Sequence, residues 1–297
     1  MKPPPTFTLT GNLLAERTLE FARWQPGRTQ RARYESFQVG GKGINVSKML
    51  SRLHVPNTAL CFAGGAPGAE CEEWLRARGF AFRAFATDRP TRTGTVVRGE
   101  GQPETTFLGP DVAPSAAAVQ ACADHLDAQP DGGVLAICGS LPGWSDDRFD
   151  PLRATLDRWL RRGTLVADTY GPPLRWLAAR PLALIKINAA EFRDLTAATA
   201  PLPDALAAAA STHAARAWIV TDGPGAVWFV DAAGGQPPAS LAPPVVTEVS
   251  ATGSGDVLFA AVIDARFHRQ VSLRQAVAHA LPLAAANAAH PGIAEFA

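Results

Sequence analysis

The residues best suited to do chemistry lie in Ala251-Thr-Gly-Ser-Gly-Asp-Val-Leu258, where Gly253, Ser254 and Gly255 precede Asp256. Beyond them Val257, Leu258, Ala261, Val262 and Ala265 share one apolar helical face. The glycines therefore sit where a helix begins. The first N–H groups of a helix have no internal partners and carry the positive end of its dipole. With no side chains at Gly253 and Gly255, an anion can approach that backbone closely. Asp256, in the first turn, places beside it a carboxylate able to take a proton. A cradle for a transferred phosphoryl group next to a base is the essential equipment of phosphoryl transfer. Alone, Gly-Ser-Gly-Asp also fits an ordinary loop with a helix cap, so the rest of the chain must decide.

A second glycine-rich helix entry, Val39-Gly-Gly-Lys-Gly-Ile-Asn-Val46, surrounds Lys42. Gly43 follows the lysine where a Walker A loop has Ser or Thr, and the upstream glycine spacing is wrong for that motif. Read plainly, it is a close-packed turn with a surface lysine. Read chemically, it sets Asn45 one turn into a helix, where an amide can bond a ligand hydroxyl. Arg92 in Thr91-Arg-Thr93, and the trio Arg28, Arg31 and Arg33, read in isolation as a strand-edge charge and a solvated edge. The alternative for each is help with an anionic ligand.

The elements that must position these residues follow a clear rhythm. Strands are predicted over 7–10 and 58–62, with a less regular stretch over 11–23 and helices after Lys42 and over 68–78. Short strands over 80–86, 93–97 and 104–108 precede an alternation of helices (116–127, 148–161) and apolar strands (134–138, 164–167, 182–187, 217–221). A hairpin partner over 227–230, a strand over 245–249 and a closing helix over 272–290 complete the pattern. Apolar strands alternating with helices predict a mainly parallel sheet covered on both faces. Ligands then bind beyond the carboxyl ends of the strands, which is where Asn188, the 223–225 turn and Asp256 fall. The early short strands lie outside the rhythm and suit a small sheet over the site.

The 297 residues allow one large domain or two small ones, and 47% apolar content supplies a large core. A net charge of +1 implies no bulk attraction to nucleic acid or anionic membrane. No apolar run approaches the ~18 residues of a membrane span, and Met1-Lys-Pro-Pro-Pro-Thr-Phe7 lacks a signal-peptide apolar region. The four cysteines are scattered, with no Cys-x-x-Cys, and read as buried small apolar residues rather than a disulfide framework or zinc site. A soluble cytoplasmic protein is expected.

With both glycine motifs placed, the chain resembles the PfkB group of ribokinase-like carbohydrate kinases, in its phosphosugar branch of 1-phosphofructokinases, 6-phosphofructokinases and tagatose-6-phosphate kinases. The likeness runs through GGKGINVSKMLSRL near residue 40, CFAGG (61–65), TRTG (91–94), CGSLPG (138–143), ADTYG (167–171), KINAAE (186–191), TDGPGAVW (221–228) and ATGSGD (251–256). It implies one ribokinase-like domain over 1–297, a three-layer α/β sandwich with a mainly parallel central sheet. A small β lid is drawn from segments within about 10–40 and 85–110, and a homodimer can form through it. It implies ATP and Mg²⁺ as cofactors and a sugar phosphate as partner, with fructose 1-phosphate converted to fructose 1,6-bisphosphate as the first choice of reaction.

The implied roles are these. Asp256 is the base, with Gly253, Ser254 and Gly255 as the anion hole. Glu16, Gly41, Lys42, Asn45, Arg92 and Ser140 serve the sugar phosphate, Arg92 taking its existing phosphate with Lys42 assisting. Lys186, Asn188, Thr221, Gly223, Gly225 and Asn287 serve the nucleotide, and Asn188 with Glu191 organises magnesium through water. The chain departs from the family pattern at Ala251, Thr252, Ser254, Val257 and Leu258 around the base, at Ile187 in the usual Lys-Pro-Asn, and at Glu16, where the branch has Asp. The added methylene of Glu16 shifts a carboxylate that bonds sugar hydroxyls. Fructose 6-phosphate, tagatose 6-phosphate, an unphosphorylated sugar, or a non-catalytic sensor on the same fold stay open as alternatives. A dinucleotide-dependent oxidoreductase fits poorly, because Leu258 stands where Gly-x-Gly-x-x-Gly needs a third small residue.

Overall fold

The computed structural model, which describes residues 4–296, divides the strands between two separate sheets. The strands are β1 (Thr6–Thr10), β2 (Leu14–Phe21), β3 (Tyr34–Gly40), β4 (Asn57–Ala63), β5 (Phe82–Ala86), β6 (Arg92–Gly99) and β7 (Gln102–Leu108), followed by β8 (Val134–Cys138), β9 (Thr164–Asp168), β10 (Leu184–Asn188), β11 (Ala217–Thr221), β12 (Val227–Asp231) and β13 (Ala239–Leu241). The helices are α1 (Lys42–Arg52), α2 (Gly65–Ala77), α3 (Ala116–Asp127), α4 (Asp150–Arg162), α5 (Gly171–Ala178), α6 (Ala189–Thr196), α7 (Leu202–Thr212), α8 (Ser254–Ile263) and α9 (Leu273–Ala288). Nine strands form the large sheet in the order β13-β12-β11-β10-β9-β8-β1-β4-β5, and four form the small one as β3-β2-β6-β7. The large sheet is parallel from β11 through β5 and antiparallel only where β12 and β13 join.

Period-two alternation distributes the core. In β8, Leu135 and Ile137 join the cluster built with α3 to α7, while Val134, Ala136 and Cys138 join the cluster built with α1, α8 and α9. Both faces are covered, which is why these strands read as continuous apolar runs. Helix α8 is buried from Asp256 to Ile263, so its apolar residues wrap the whole circumference. All four cysteines are buried and free, and burial pushes their thiols up. No helix among the described residues is long and apolar enough to cross a membrane.

Several local expectations change. The stretch over 11–23 contains a full strand, β2; its period was hidden because Glu16 is a buried carboxyl on the inward face. The strand near 80–86 belongs to the edge of the large sheet, parallel to β4, and not to the small sheet. Helices α5, α6 and α7 are short and begin at Tyr170, Asn188 and Pro201 caps that the apolar period alone does not reveal. Residues 245–249 form no strand: Val245 and Val249 are exposed, and Pro243 and Pro244 upstream lack the N–H groups a ladder needs.

Trp159 shows how the core holds the strands in place. It is buried, donates Nε1–H to the Thr164 carbonyl at 3.2 Å and meets Phe7 edge-on at 5.9 Å between ring centroids. Trp159→Ala is expected to cost about 3–5 kcal/mol. Urea unfolding should show a lower midpoint at unchanged slope.

Candidate active site

Strand alternation also places the charged residues. Asp168 ends β9 on the same face as Val166, and Lys186 in β10 shares the face of Leu184. That face lies toward α1 and α8, so both side chains point to the helix starts. Asp168 is fully buried, and its two oxygens each accept from a different lysine at 2.8 Å, Lys42 Nζ and Lys186 Nζ. Lys42 is the first residue of α1, where the helix dipole disfavours a cation. Asp168 and Glu191, the latter 3.5 Å away, compensate it. Burial pushes the Asp168 carboxyl up, but the two ammonium groups outweigh burial and hold it below the usual aspartate range. Burial likewise acts against the Lys42 ammonium, but Asp168, Asp256 and Glu191 keep it above its ordinary value.

Gly253 caps α8 in a left-handed conformation (φ 78°), and a Cβ there would meet Ile293 Cγ2 at 2.6 Å. A Cβ at Gly255 would lie 2.6 Å from Lys186 Nζ, so this glycine lets the lysine reach the backbone at the helix start. The Ser254 N–H donates to the Ala251 carbonyl at 3.2 Å, whereas Gly255 and Asp256 have N–H groups without backbone acceptors among the described residues. Of the first turn of α8, Gly255 and Asp256 therefore keep open N–H donors, and Ser254 does not. Asp256 is buried, and its Oδ2 accepts from Asn45 Nδ2 of α1 at 2.7 Å. Asn287, expected at the nucleotide, is 1% exposed, and its amide is bonded within the protein. Its Nδ2 donates to the Thr252 carbonyl and Ser254 Oγ, and its Oδ1 accepts from the Ala294 N–H. It positions the loop from behind.

At the end of β10, Asn188 and Glu191 lock one another in a capping box on α6, with Asn188 Oδ1 accepting from the Glu191 N–H and Glu191 Oε2 accepting from the Asn188 N–H. Thr221 pairs in register with Asn188, and Asp222 to Gly225 form an exposed turn just beyond, with Gly223 at φ 52°. No group of three or more His, Cys, Asp or Glu among the described residues is arranged as a metal cage. Magnesium takes few protein carboxylates and prefers phosphate and water oxygens. A single oriented carboxylate, Glu191 Oε1, fits that ion held chiefly by nucleotide phosphates.

On the other side of Asp256 lie the residues expected to meet the sugar. Gly41 opens α1 at φ 114°, and a Cβ there would meet Thr10 Cγ2 at 2.6 Å. Thr10 Oγ1, Asn12 Oδ1, Asn45 Oδ1 and Arg92 Nε are buried without partners, an uncommon concentration of polar capacity. Asn12 Nδ2 donates to Ser140 Oγ at 3.1 Å. Glu16 is buried on β2 facing Gln38 of β3, which bonds it and also accepts from Lys48 Nζ at 3.2 Å. Burial pushes the Glu16 carboxyl up and lowers Lys48 to about 8. Lys42 does not join Arg92 as expected: its ammonium is taken by Asp168 and Glu191, whereas Arg92 pairs with Asp111.

Sequence reasoning missed Asp168 as a site residue, although its place at a strand's carboxyl end was visible. It also missed Glu104 of β7, whose Oε1 accepts from Ser250 Oγ and Thr252 Oγ1 and so ties the small sheet to the loop before Gly253. Nothing in the sequence pairs residues so far apart.

A two-sheet α/β fold with a glycine-opened helix start, an adjacent buried carboxylate and a converging pair of lysines is a geometry suited to phosphoryl transfer. Residues 12–296 match the pfkB family carbohydrate kinase model, and the chain belongs to that family, whose members transfer a phosphoryl group to a sugar hydroxyl. A 1-phosphofructokinase from Xanthomonas campestris pv. campestris is 30% identical over 280 residues, covering 90% of this chain and 86% of that one. A D-tagatose-1-phosphate kinase from Klebsiella oxytoca is 29% identical over 182 residues, or 61% of this chain and 59% of that one. The crystal structure of the phosphofructokinase-2 from Escherichia coli in complex with fructose-6-phosphate shares the fold, with a TM-score of 0.85 at 22% identity over 96% of this chain and 93% of that one.

Asp256 differs from the ordinary aspartate expected of it. Burial, helped by Asp168, raises its pKa from 3.8 to about 6 against the pull of Lys42, Lys186 and Asn45. Because folding raises this pKa, the native state holds the proton more tightly than the unfolded chain, and stability declines as pH climbs from about 4 through 6. Asp256→Asn should therefore raise stability at pH 7 by on the order of 1–3 kcal/mol, with the gain vanishing near pH 4. Urea unfolding at both pH values checks this; an equal gain at both would contradict it.

Proposed function

We propose that this sugar phosphate kinase uses ATP to phosphorylate a ketohexose 1-phosphate, with fructose 1-phosphate to fructose 1,6-bisphosphate as its reaction. The observation that carries the mechanism is Asp256, buried and fixed by Asn45 at the start of α8, beside the unpaired N–H groups of Gly255 and Asp256 itself. The position of the substrate phosphate is supported by the two relatives described above, both named for sugars phosphorylated at carbon 1.

In this reading Asp256 accepts the proton of the attacking hydroxyl as that oxygen bonds to the γ-phosphorus and the bond to the bridging oxygen of ADP breaks. A pKa of about 6 leaves the carboxylate mostly ionised at neutral pH and makes it a better base than an ordinary aspartate. The N–H groups and dipole at the α8 start, with Lys186 beside Gly255, stabilise the charge on the transferred oxygens. Lys42 and Lys186 are already desolvated and oriented by Asp168, so little reorganisation accompanies reaction. Magnesium, when bound, neutralises charge on the nucleotide phosphates, and Asn188 and Glu191 would hold it through water. Thr221, Gly223 and Gly225 would flank the nucleotide. Gly41, Asn45, Ser140 and Glu16 would surround the sugar, and Arg92 would take its phosphate, two oxygens to one planar guanidinium. The small sheet would act as a lid. Its outer strands expose Tyr34, Phe107 and Leu108, which favours a homodimer formed through it. A cytoplasmic location suits a substrate of metabolic phosphosugars.

ADP release with magnesium-ATP should be measured against fructose 1-phosphate, fructose 6-phosphate, tagatose 6-phosphate, fructose and ribose. Turnover with a 6-phosphate alone would refute the 1-phosphate assignment, and ATP binding without any turnover would point to a sensor. Asp256→Asn is expected to lower kcat by about 10²–10⁴-fold with nucleotide binding retained. Arg92→Ala should raise KM for the phosphosugar far more than for ATP; a parallel rise in both would argue against its role.

A further inference from the structure

Arg92 is already occupied. It starts β6 with a side chain only 13% exposed, and its Nη1 donates to Asp111 Oδ1 at 3.0 Å. The same carboxylate oxygen accepts from Asn12 Nδ2 at 2.7 Å. Asp111 lies in the connection between β7 and α3, and its side chain is 56% exposed. Two donors, one from the β1–β2 connection and one from the start of β6, therefore converge on one carboxylate oxygen. Arg92 Nε and Asn12 Oδ1 remain buried and unpartnered beside it. A guanidinium and an amide aimed at one acceptor form a subsite for an anionic oxygen, and the chain supplies that oxygen itself.

We propose that Asp111 is a specificity-determining residue that competes with the substrate's phosphate for Arg92. The inference rests on the sugar-phosphate reading above. Like charges cannot share one guanidinium edge at close range without repulsion, so one anion must yield. The partners are unequal in a way that decides which moves. Arg92 is enclosed and would be left desolvated without an anion, whereas Asp111 is exposed enough to be hydrated when released. A phosphate carries nearly two charges and can engage the guanidinium with two oxygens, so it displaces the single carboxylate. A neutral sugar has no group to exchange for Asp111, and Arg92 then contributes nothing to holding it. Asp111 thus weakens phosphosugar binding below what Arg92 alone would give, while keeping the enclosed cation paired between turnovers.

The test is steady-state kinetics of Asp111→Asn and Asp111→Ala beside the wild-type protein, with fructose 1-phosphate, fructose and ATP varied in turn. Both variants should lower KM for fructose 1-phosphate by about 3–30-fold, with KM for ATP and fructose held within about twofold and kcat changing less than KM. Inorganic phosphate, as a competitor of fructose 1-phosphate, should inhibit the variants at correspondingly lower concentration. A purely structural Asp111 would not sharpen that inhibition. A raised or unchanged KM for fructose 1-phosphate in the Asn variant, or an equal fall for fructose, would overturn the proposal. Wild-type turnover of free sugars alone would overturn it together with the sugar-phosphate reading, and the wild-type panel by itself tells these failures apart.

Discussion

The site is organised by one buried carboxylate. Asp168 divides its two oxygens between Lys42 and Lys186, which arrive from α1 and from the neighbouring strand β10. A carboxylate this deep would not stay ionised without the two ammonium groups. Removing one partner of such a group typically costs about 3–5 kcal/mol because the other charge is left uncompensated. The arrangement is thus over-determined: Lys186 is held against the backbone at Gly255, Lys42 against Glu191, and Asp256, raised first by burial, is raised further by the same negative charge that steadies the lysines. The placement of one residue at the end of β9 thus ties together the charges of α1, β10 and the α8 start.

Much of this was legible from the chain. Gly253 and Gly255 announce a helix start open to an anion, and the carboxyl ends of apolar strands locate the cleft, because both follow from local rules of backbone and period. Asn188 and Glu191 were recognised as a unit, and their capping box gives a local reason for that spacing. What escaped reading depends on partners far apart in sequence. Glu16 lies in a stretch that reads as less regular, and its partner Gln38 sits in another strand of the small sheet. The three bonds of Asn287, to Thr252, Ser254 and Ala294, close only in three dimensions. The Asp256 carboxyl could not be given its raised pKa without knowing that Asp168 lies nearby in the same buried space.

The two sheets meet through polar contacts rather than a shared apolar seam alone. Glu104 joins β7 to the loop before Gly253, Arg98 beside it donates to the Pro291 carbonyl at 2.7 Å, and Arg92 reaches Asp111 and through it Asn12. Such contacts exchange partners at small net cost, unlike packed side chains, which resist sliding. These polar contacts add to an apolar cluster in which Ala15 and Val39 of the small sheet pack with Ala59, Cys61 and Leu75.

The packing of Gly253 against Ile293, and of Asn287 behind Ser254, has a bearing on how the protein is made. On a ribosome the strands emerge from the amino end at roughly 5–20 residues per second. Strand β1 gains its second neighbour only with β8, and the helix-start loop lacks its rear support until residues 287–294 have cleared the exit tunnel. A nascent chain can complete most of its sheet and still have no formed anion cradle. Competence to bind nucleotide would then be among the last properties acquired during synthesis, which spares the cell a half-built protein that grips ATP.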